Sequence, residues 1–594
     1  MVGKRDEQRD KKMNLKLSRS AVCSLVVLAG MMLCAPKDAQ AVSSMWSNPV
    51  NGSWDDVTKW DIGVPKANTN ALLTASGSYT VDYTNPVNYA ISGILLMNTS
   101  GNNTTLNINT NGFRFTGATV SNATLTVNVG GVVTNTGNCG NILSATATSP
   151  NSALVINGGR YVQTGNTFGN SSAGIALQVN GGAFDHGVSG GNFYGLITMT
   201  AGVIRVSSYN TPYSSTISGG VYSNLGSQAF NIRGGTVVVT NQGSLVTTGI
   251  ALTGNGDILR VDGGVLEVTG NNFTLGTVAA NSSRRGLIAQ TDGTVKMAHA
   301  AGLVLGANTG TNGTNIGNNQ YQLKAGTLSL QKITLGGSLN TGGSLNILDM
   351  SGGVLNLGAG GLVTNPPAGS ISPYAIQLSG GTVGAQADWS SSLNMTLTNK
   401  PGPGTVTLRA SDISDVACVV TLSGVLSGNV GLTKTGAGAL LLDGMNTYTG
   451  ATTVTSGTLG GIGKIAGTTT VASNAFVSGG STTAVGTLTV TNLVMQEGAG
   501  LAWNYGTATQ DSVAVAGALT LATNAVVNVS AVESATLSQL PSSAVLMTYT
   551  SNNGATSLDG WVVNGLPVTA RVRLDAPNKQ VLLITNRGTL ISIM

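Results

Sequence analysis

The sequence predicts an all-β protein, a right-handed parallel β-helix (β-solenoid) closed by small N- and C-terminal capping modules. Three observations carry that reading. The chain holds 84 glycines in 594 residues, about twice the usual share, and without the G-X-Y period of collagen. Such glycines mark turns. Only 9% of residues are charged while 41% are hydrophobic, which excludes a disordered chain. Finally, a short phrase returns between residues 156 and 385: a glycine turn, then an apolar–polar–apolar strand. Self-similarity of this kind marks a stacked repeat. Length alone would suggest several globular domains. Stacked repeats need no single large core, and the glycine pattern favours them.

Residues 1–41 read as a signal peptide. A basic stretch with Lys16 and Arg19 begins at Met13, and an apolar run follows from Ala21 to Cys34. A small-x-small site, Ala39-Gln40-Ala41, places cleavage after Ala41. The apolar run is too short for a permanent membrane helix, so no transmembrane segment is expected after signal removal. Cys34 follows Leu33, where a lipoprotein site would need a small residue, so it reads as part of a discarded signal. Residues 1–41 also hold eight of the 28 basic and four of the 23 acidic residues, which leaves 20 against 19 in the mature chain. So balanced a chain has no electrostatic footprint for nucleic acid or anionic lipid.

Residues 42–99 form a Trp-rich N-terminal capping module. Trp46, Trp54 and Trp60 are three of the six tryptophans, and large rings suit the closure of a first rung whose end would otherwise be open. The rival reading is a sugar-stacking platform with Asp55 and Asp56 as hydrogen-bond partners.

Residues 100–410 are the repeat body. Its phrases include INGGRYVQTG at 156–165, VNGGAFDHG at 179–187, IRGGTVVVTN at 232–241, VDGGVLEVTG at 261–270 and MSGGVLNLG at 350–358. Counted on the second glycine of each phrase, Gly235 in IRGGTVVVTN, and including Gly220 of ISGGVYSN, the steps run 23, 20, 18, 15, 29, 29, 33, 27 and 28 residues. These suit one rung of a parallel β-helix; a propeller blade needs about 40. Val, Leu and Ile are expected to face inward at every second place, with Thr, Asn and Ser outward and in the turns. Stacked Asn and Thr side chains would then form ladders between rungs. Cys139 and Cys418 fall roughly 11 rungs apart at about 4.8 Å each, far beyond the reach of a disulfide. No bridge is expected.

Residues 411–530 contain the most specific stretch, GLTKTGAGALLLDGMNTYTGATTVTSGTL at 431–459. Period-two alternation bounded by Gly and Asn reads as strand–turn–strand. The stretch resembles the autotransporter-associated β-strand repeat of secreted β-helical proteins of Gram-negative bacteria. The residues that carry the resemblance are Leu432, Thr433, Lys434, Gly436 and Gly438, then Asn446, Tyr448 and Gly450, then Gly457 and Leu459. The W…G.W…W..G.P spacing of the Trp-rich module resembles the first module of the same proteins. The resemblance implies export and a β-helical passenger; it implies no reaction.

Residues 531–594 are expected to form a C-terminal β cap. The segments from about 540 onward look like short antiparallel hairpins, with Asp575-Ala576-Pro577-Asn578 as a turn. True autotransporters end in a membrane barrel, which needs strands of about 9–11 residues and aromatic girdles. The 135 residues after Leu459 hold five aromatics, so the expectation is a passenger without its own transporter.

Catalytic signatures are sparse. His186 and His299 have no His or Cys at ligand spacing, so no metal and no cofactor are expected. Asp185-His186 could be a base with its orienting carboxylate, though in a turn such a pair is usually solvated. The best catalytic patch is Asp262 and Asp292, which precede the repeat glycine in successive phrases, with Arg260, Glu267, Arg284, Arg285 and Lys296 nearby. It would suit a polysaccharide lyase or glycosidase, the alternative function. The favoured expectation is no catalytic residue: an exported, cell-surface or extracellular β-solenoid for adhesion or structure, with polysaccharide or cell-surface components as partners.

Overall fold

The computed structural model describes residues 41–586 except 88, 99–102, 111, 137–151, 166, 169–174, 188–191, 194, 208, 211–213, 225, 227–228, 233–234, 255, 277–285, 307–317, 337–344, 365–372 and 400–403. The chain is all-β and winds as a parallel β-helix. Alternation sets the inside. Leu106, Leu125, Leu154, Leu177 and Ile197 occupy equivalent places on five successive passes, each in register with the next. All five are buried. Each such side chain contributes roughly 1.5–3 kcal/mol by leaving water. The outward positions stack as well: Thr382, Thr407, Thr433, Thr453 and Thr470 lie one above another.

The repeat phrase is a corner. At Gly202 the backbone takes φ +85°, and a Cβ there would lie 2.6 Å from the Gly182 carbonyl oxygen of the pass below. Only glycine combines that φ with that approach. Beside the glycines runs the expected polar ladder. Asn128 donates to Asn109 at 2.7 Å, Asn180 to Asn157 at 2.9 Å and Thr200 to Asn180 at 3.1 Å.

One phrase is out of phase. Thr236–Thr240, after Gly235, pairs with Ser215–Ile217, the strand before the previous corner. Val221, after that corner, instead pairs with Ser244. The successor of Gly220 is therefore Gly243, then Gly264, and the steps of 15 and 29 become 23 and 21. Asn241, at φ 53°, supplies the left-handed turn position at this corner, so the familiar pair of glycines is not needed there.

At the N-terminal end the rings lie inside the coil. Trp46 and Trp54 are fully buried and Trp60 is nearly so. Trp60 stands edge-on to both neighbours, with centroids at 5.1 and 4.9 Å, and its Nε1 donates to the Trp54 carbonyl at 2.8 Å. Strand Val42–Met45 already pairs in parallel with Thr69–Leu73. At the other end, Val562–Asn564 was expected in a hairpin but stacks in parallel on Val526–Ala531. That strand still offered an open edge. Among the described residues the antiparallel pairing of whole strands is made by Gln580–Thr585, which runs against both Ala570–Asp575 and Ser543–Asn552 and so covers a last edge. Cys418 is buried and free; Cys139, and the expected signal peptide up to Gln40, lie outside the described residues. Among the described residues no helix is long and apolar enough to cross a membrane.

Candidate functional site

The signature stretch spans two consecutive passes. Strand Gly431–Thr435 turns a corner into Ala439–Leu442; residues 446–450 then carry the chain round to Thr452–Val454 and Gly457–Gly460. The pairings are parallel, Leu432 on Thr452 and Leu440 on Leu459. The stretch is thus a joint between rungs, and the segment between its strands is a full circuit.

Its centre is a buried cation. Lys434 is fully buried, and its Nζ donates to the carbonyls of Gly436 at 2.6 Å, Gly438 at 2.7 Å and Ser456 at 2.8 Å. Two acceptors belong to its own corner and the third to the corner above, so one side chain ties both together. Burial pulls its pKa down to about 8. At neutral pH it is still an ammonium, with one hydrogen for each carbonyl.

The remaining signature residues close the same joint. Leu432 and Leu459 are core residues. Gly436 takes φ +79°, and a Cβ on Gly438 would lie 2.0 Å from the Cys418 carbonyl oxygen. Asn446 accepts from Leu426 N at 2.8 Å and donates to Gly444 O at 3.0 Å. The buried Tyr448 hydroxyl meets Thr452 Oγ1 at 2.6 Å. Each of these polar side chains is spent on a partner near the joint. The sequence held a signal for Lys434: alternation puts it on the same side as Leu432, a place where a lone charge needs partners.

A second clasp escaped sequence reasoning. Asp511 is fully buried and accepts from Gly486 N at 2.9 Å, Asn504 N at 3.0 Å and Ser478 Oγ at 3.2 Å. Burial pushes its pKa up to about 7 against the pull of those donors. In sequence it is one carboxylate among small residues.

The catalytic candidates are placed as follows. Asp262 and Asp292 come together in register on adjacent passes. Arg260 pairs with Asp262, which also accepts from the Thr291 hydroxyl. Asp292 accepts from Gly293 N at 2.7 Å, and Lys296 pairs with Glu267 at 3.0 Å. Asp262 and Glu267 are matched by Arg260 and Lys296, while Asp292 is held by a backbone donor; Arg284 and Arg285 lie outside the described residues. Asp185 and His186 point to opposite faces of their strand, as neighbours must. Asp185 bridges Arg160 at 2.7 Å and Arg205 at 2.9 Å outside. His186 is buried against Phe193, and burial pulls its pKa down to about 4. They do not form a dyad. His299 accepts from Ala301 N within its turn. Asp55 accepts from the Tyr89 hydroxyl at 3.0 Å, and Asp56 caps the short helix Val57–Lys59. With the tryptophans buried, no ring face is left for a sugar there. Among the described residues no three His, Cys, Asp or Glu side chains gather as a metal-binding group.

No curated protein matches the chain. A family does: the passenger-associated-transport-repeat matches residues 432–460, 29 of 594, from the residue after Gly431 to the end of strand Gly457–Gly460. A repeat of that kind implies export of the polypeptide that carries it. The joint built around Lys434 is therefore a passenger-associated-transport-repeat, and the chain is an all-β solenoid that carries this autotransporter-associated repeat.

Proposed function

We propose that the protein is an exported, non-catalytic β-solenoid that works at the cell surface or outside the cell in adhesion or as a structural component. The observation that carries this reading is where the specific residues go. The signature residues are spent on joining rungs, and Asp185, Asp262 and Glu267 are each engaged by a basic side chain on the outer face. A regular rod with a polar outer face suits presentation of side-face contacts at a distance from the cell. The removed signal and the surface location belong to this proposal, and a carbohydrate or another surface component is its expected partner.

The second reading, a polysaccharide lyase or glycosidase, draws on one observation, the in-register Asp262 and Asp292. Glycosidases need two carboxylates about 5–10 Å apart, one kept protonated. Here Asp262 is already engaged by Arg260 and by the Thr291 hydroxyl. The test is turnover by the mature chain, Val42 onward, on a panel of polysaccharides with and without Ca²⁺. The expected result is no released sugar under either condition. Release that Asp262→Asn or Asp292→Asn abolishes would replace the scaffold with an enzyme.

A further inference from the structure

The outer face carries a cleft beside the stacked residues Ser329 and Asn356. Ser329, Asn356 and Gly384 are stacked in register on three passes. On the next pass Val383 lies beside Leu408, which puts Arg409 above Gly384. Because Gly384 has no side chain, Arg409 folds back over it and its Nη2 reaches Asn356 Oδ1 at 2.7 Å. A Cβ on Gly384 would lie 2.7 Å from that nitrogen and 2.9 Å from that oxygen. The cleft, of about 510 Å³, lies beside this contact, with Asn356 and Arg409 in its lining. Gln386 borders it and donates to Asn356 O at 2.9 Å.

One wall is a projecting loop. Ser411 and Ala417 pair across its base. Asp412 Oδ1 accepts from Ser414 N at 2.8 Å and Val416 N at 2.9 Å, and Asp415 accepts from Ala437 N of the next pass at 3.2 Å. So braced, the loop holds Ile413 at the cleft with 79% of its surface in water. A rigid loop that keeps an isoleucine exposed beside a hollow is not explained by packing; loops of that kind on a rigid scaffold are where binding residues concentrate.

We propose that this cleft is a subsite for a short run of a neutral polysaccharide. Its volume falls within the usual range for small-molecule sites, about 300–1,000 Å³. Arg409 and Asp412 balance each other's charge, which disfavours a polyanion. Together with Asn356 and Gln386 they present oriented donors and acceptors for vicinal hydroxyls, and Ile413 and Val354 offer an apolar surface for the face of a sugar ring. A peptide strand would need a free sheet edge, but the main chain of these passes is already bonded to neighbours on both sides. The proposal rests on the reading of the rod as a surface binding scaffold.

The test is binding of the mature chain to an array of neutral oligosaccharides: glucans, mannans, xylans and galactans. Wild type is compared with Ile413→Ser, Arg409→Ala, Gly384→Ala and, elsewhere on the rod, Arg205→Ala. Gly384→Ala displaces the flexible end of Arg409 and presses on Asn356 Oδ1, and far-UV circular dichroism with a melting curve confirms that each variant folds. The expected result is binding by wild type and Arg205→Ala, with a loss of about tenfold or more in the three cleft variants. Wild-type binding that the cleft variants keep would overturn the subsite but leave the adhesin reading standing. No wild-type binding on the array would also overturn it; attachment of the protein to intact cells then decides the adhesin reading separately.

Discussion

Replacing Lys434 by methionine is expected to destabilise the protein by about 3–5 kcal/mol, the range for removing one partner of a buried charged network. The cost comes from what is left behind. Three carbonyls, of Gly436, Gly438 and Ser456, converge on the ammonium, and methionine fills the volume without donating to any of them. Each buried acceptor so abandoned costs roughly 1–3 kcal/mol. Lys434→Arg is expected to fail as well, because a planar guanidinium cannot aim at three acceptors gathered round one point. The damage should be local, since each pass of a solenoid contacts only its neighbours. Proteinase K digestion mapped by mass spectrometry should show new cuts within residues 431–460, alongside a lowered unfolding midpoint. A Lys434→Met protein that melts and resists cleavage like wild type would mean that the signature residue matters for something other than the joint.

The second large effect is expected at the N-terminal end. Trp54→Ala removes a fully buried ring that touches Trp60 at 4.9 Å, Phe113 at 5.1 Å and Tyr83 at 6.2 Å between centroids. Truncation of a packed tryptophan costs about 3–5 kcal/mol. Among the described residues the first passes have no neighbour below them, so this loss should open them. Hydrogen exchange is expected to accelerate across the strands from Val42–Met45 to Gly93–Met97, while exchange beyond Thr405–Arg409 stays as in wild type. Unchanged exchange at the first strands would remove the cap role of the tryptophans. Acceleration along the whole rod would mean that the passes fold as one cooperative unit and not as neighbours.

Much of this architecture is legible in the residues, and the reasons are local. Period-two alternation places Leu154, Ile156 and Leu177 inside without reference to any other strand. At a corner such as that of Gly202 the glycine is visible because no other residue tolerates both its φ and the carbonyl below. What depends on register between passes is not legible. Gly235 sits in a phrase like the others, yet it belongs before a corner and not in one. Loops of unequal length hide that shift from any count along the chain. The parallel stacking of Val562–Asn564 is hidden for a similar reason, since a short alternating run does not say which edge is still open. The same holds for the cleft. Gly384 and Asn356 matter together only because one lies above the other and Arg409 reaches across both. Lys434 stood in plain view within the signature, but its three acceptors come from two corners 20 or so residues apart in sequence. Two rungs must be stacked before it has a purpose.

The central claim is that residues 42 onward form one continuous rod and not a string of globular domains. Small-angle X-ray scattering of the mature chain tests it most directly. About 20 stacked passes at ~4.8 Å give a rod about 100 Å long, for which the expected radius of gyration is about 30 Å. A compact globular chain of the same length would give about 24 Å. A single elongated particle near the larger value is the predicted result; a radius near the smaller one, or a profile of separate lobes, would contradict the account.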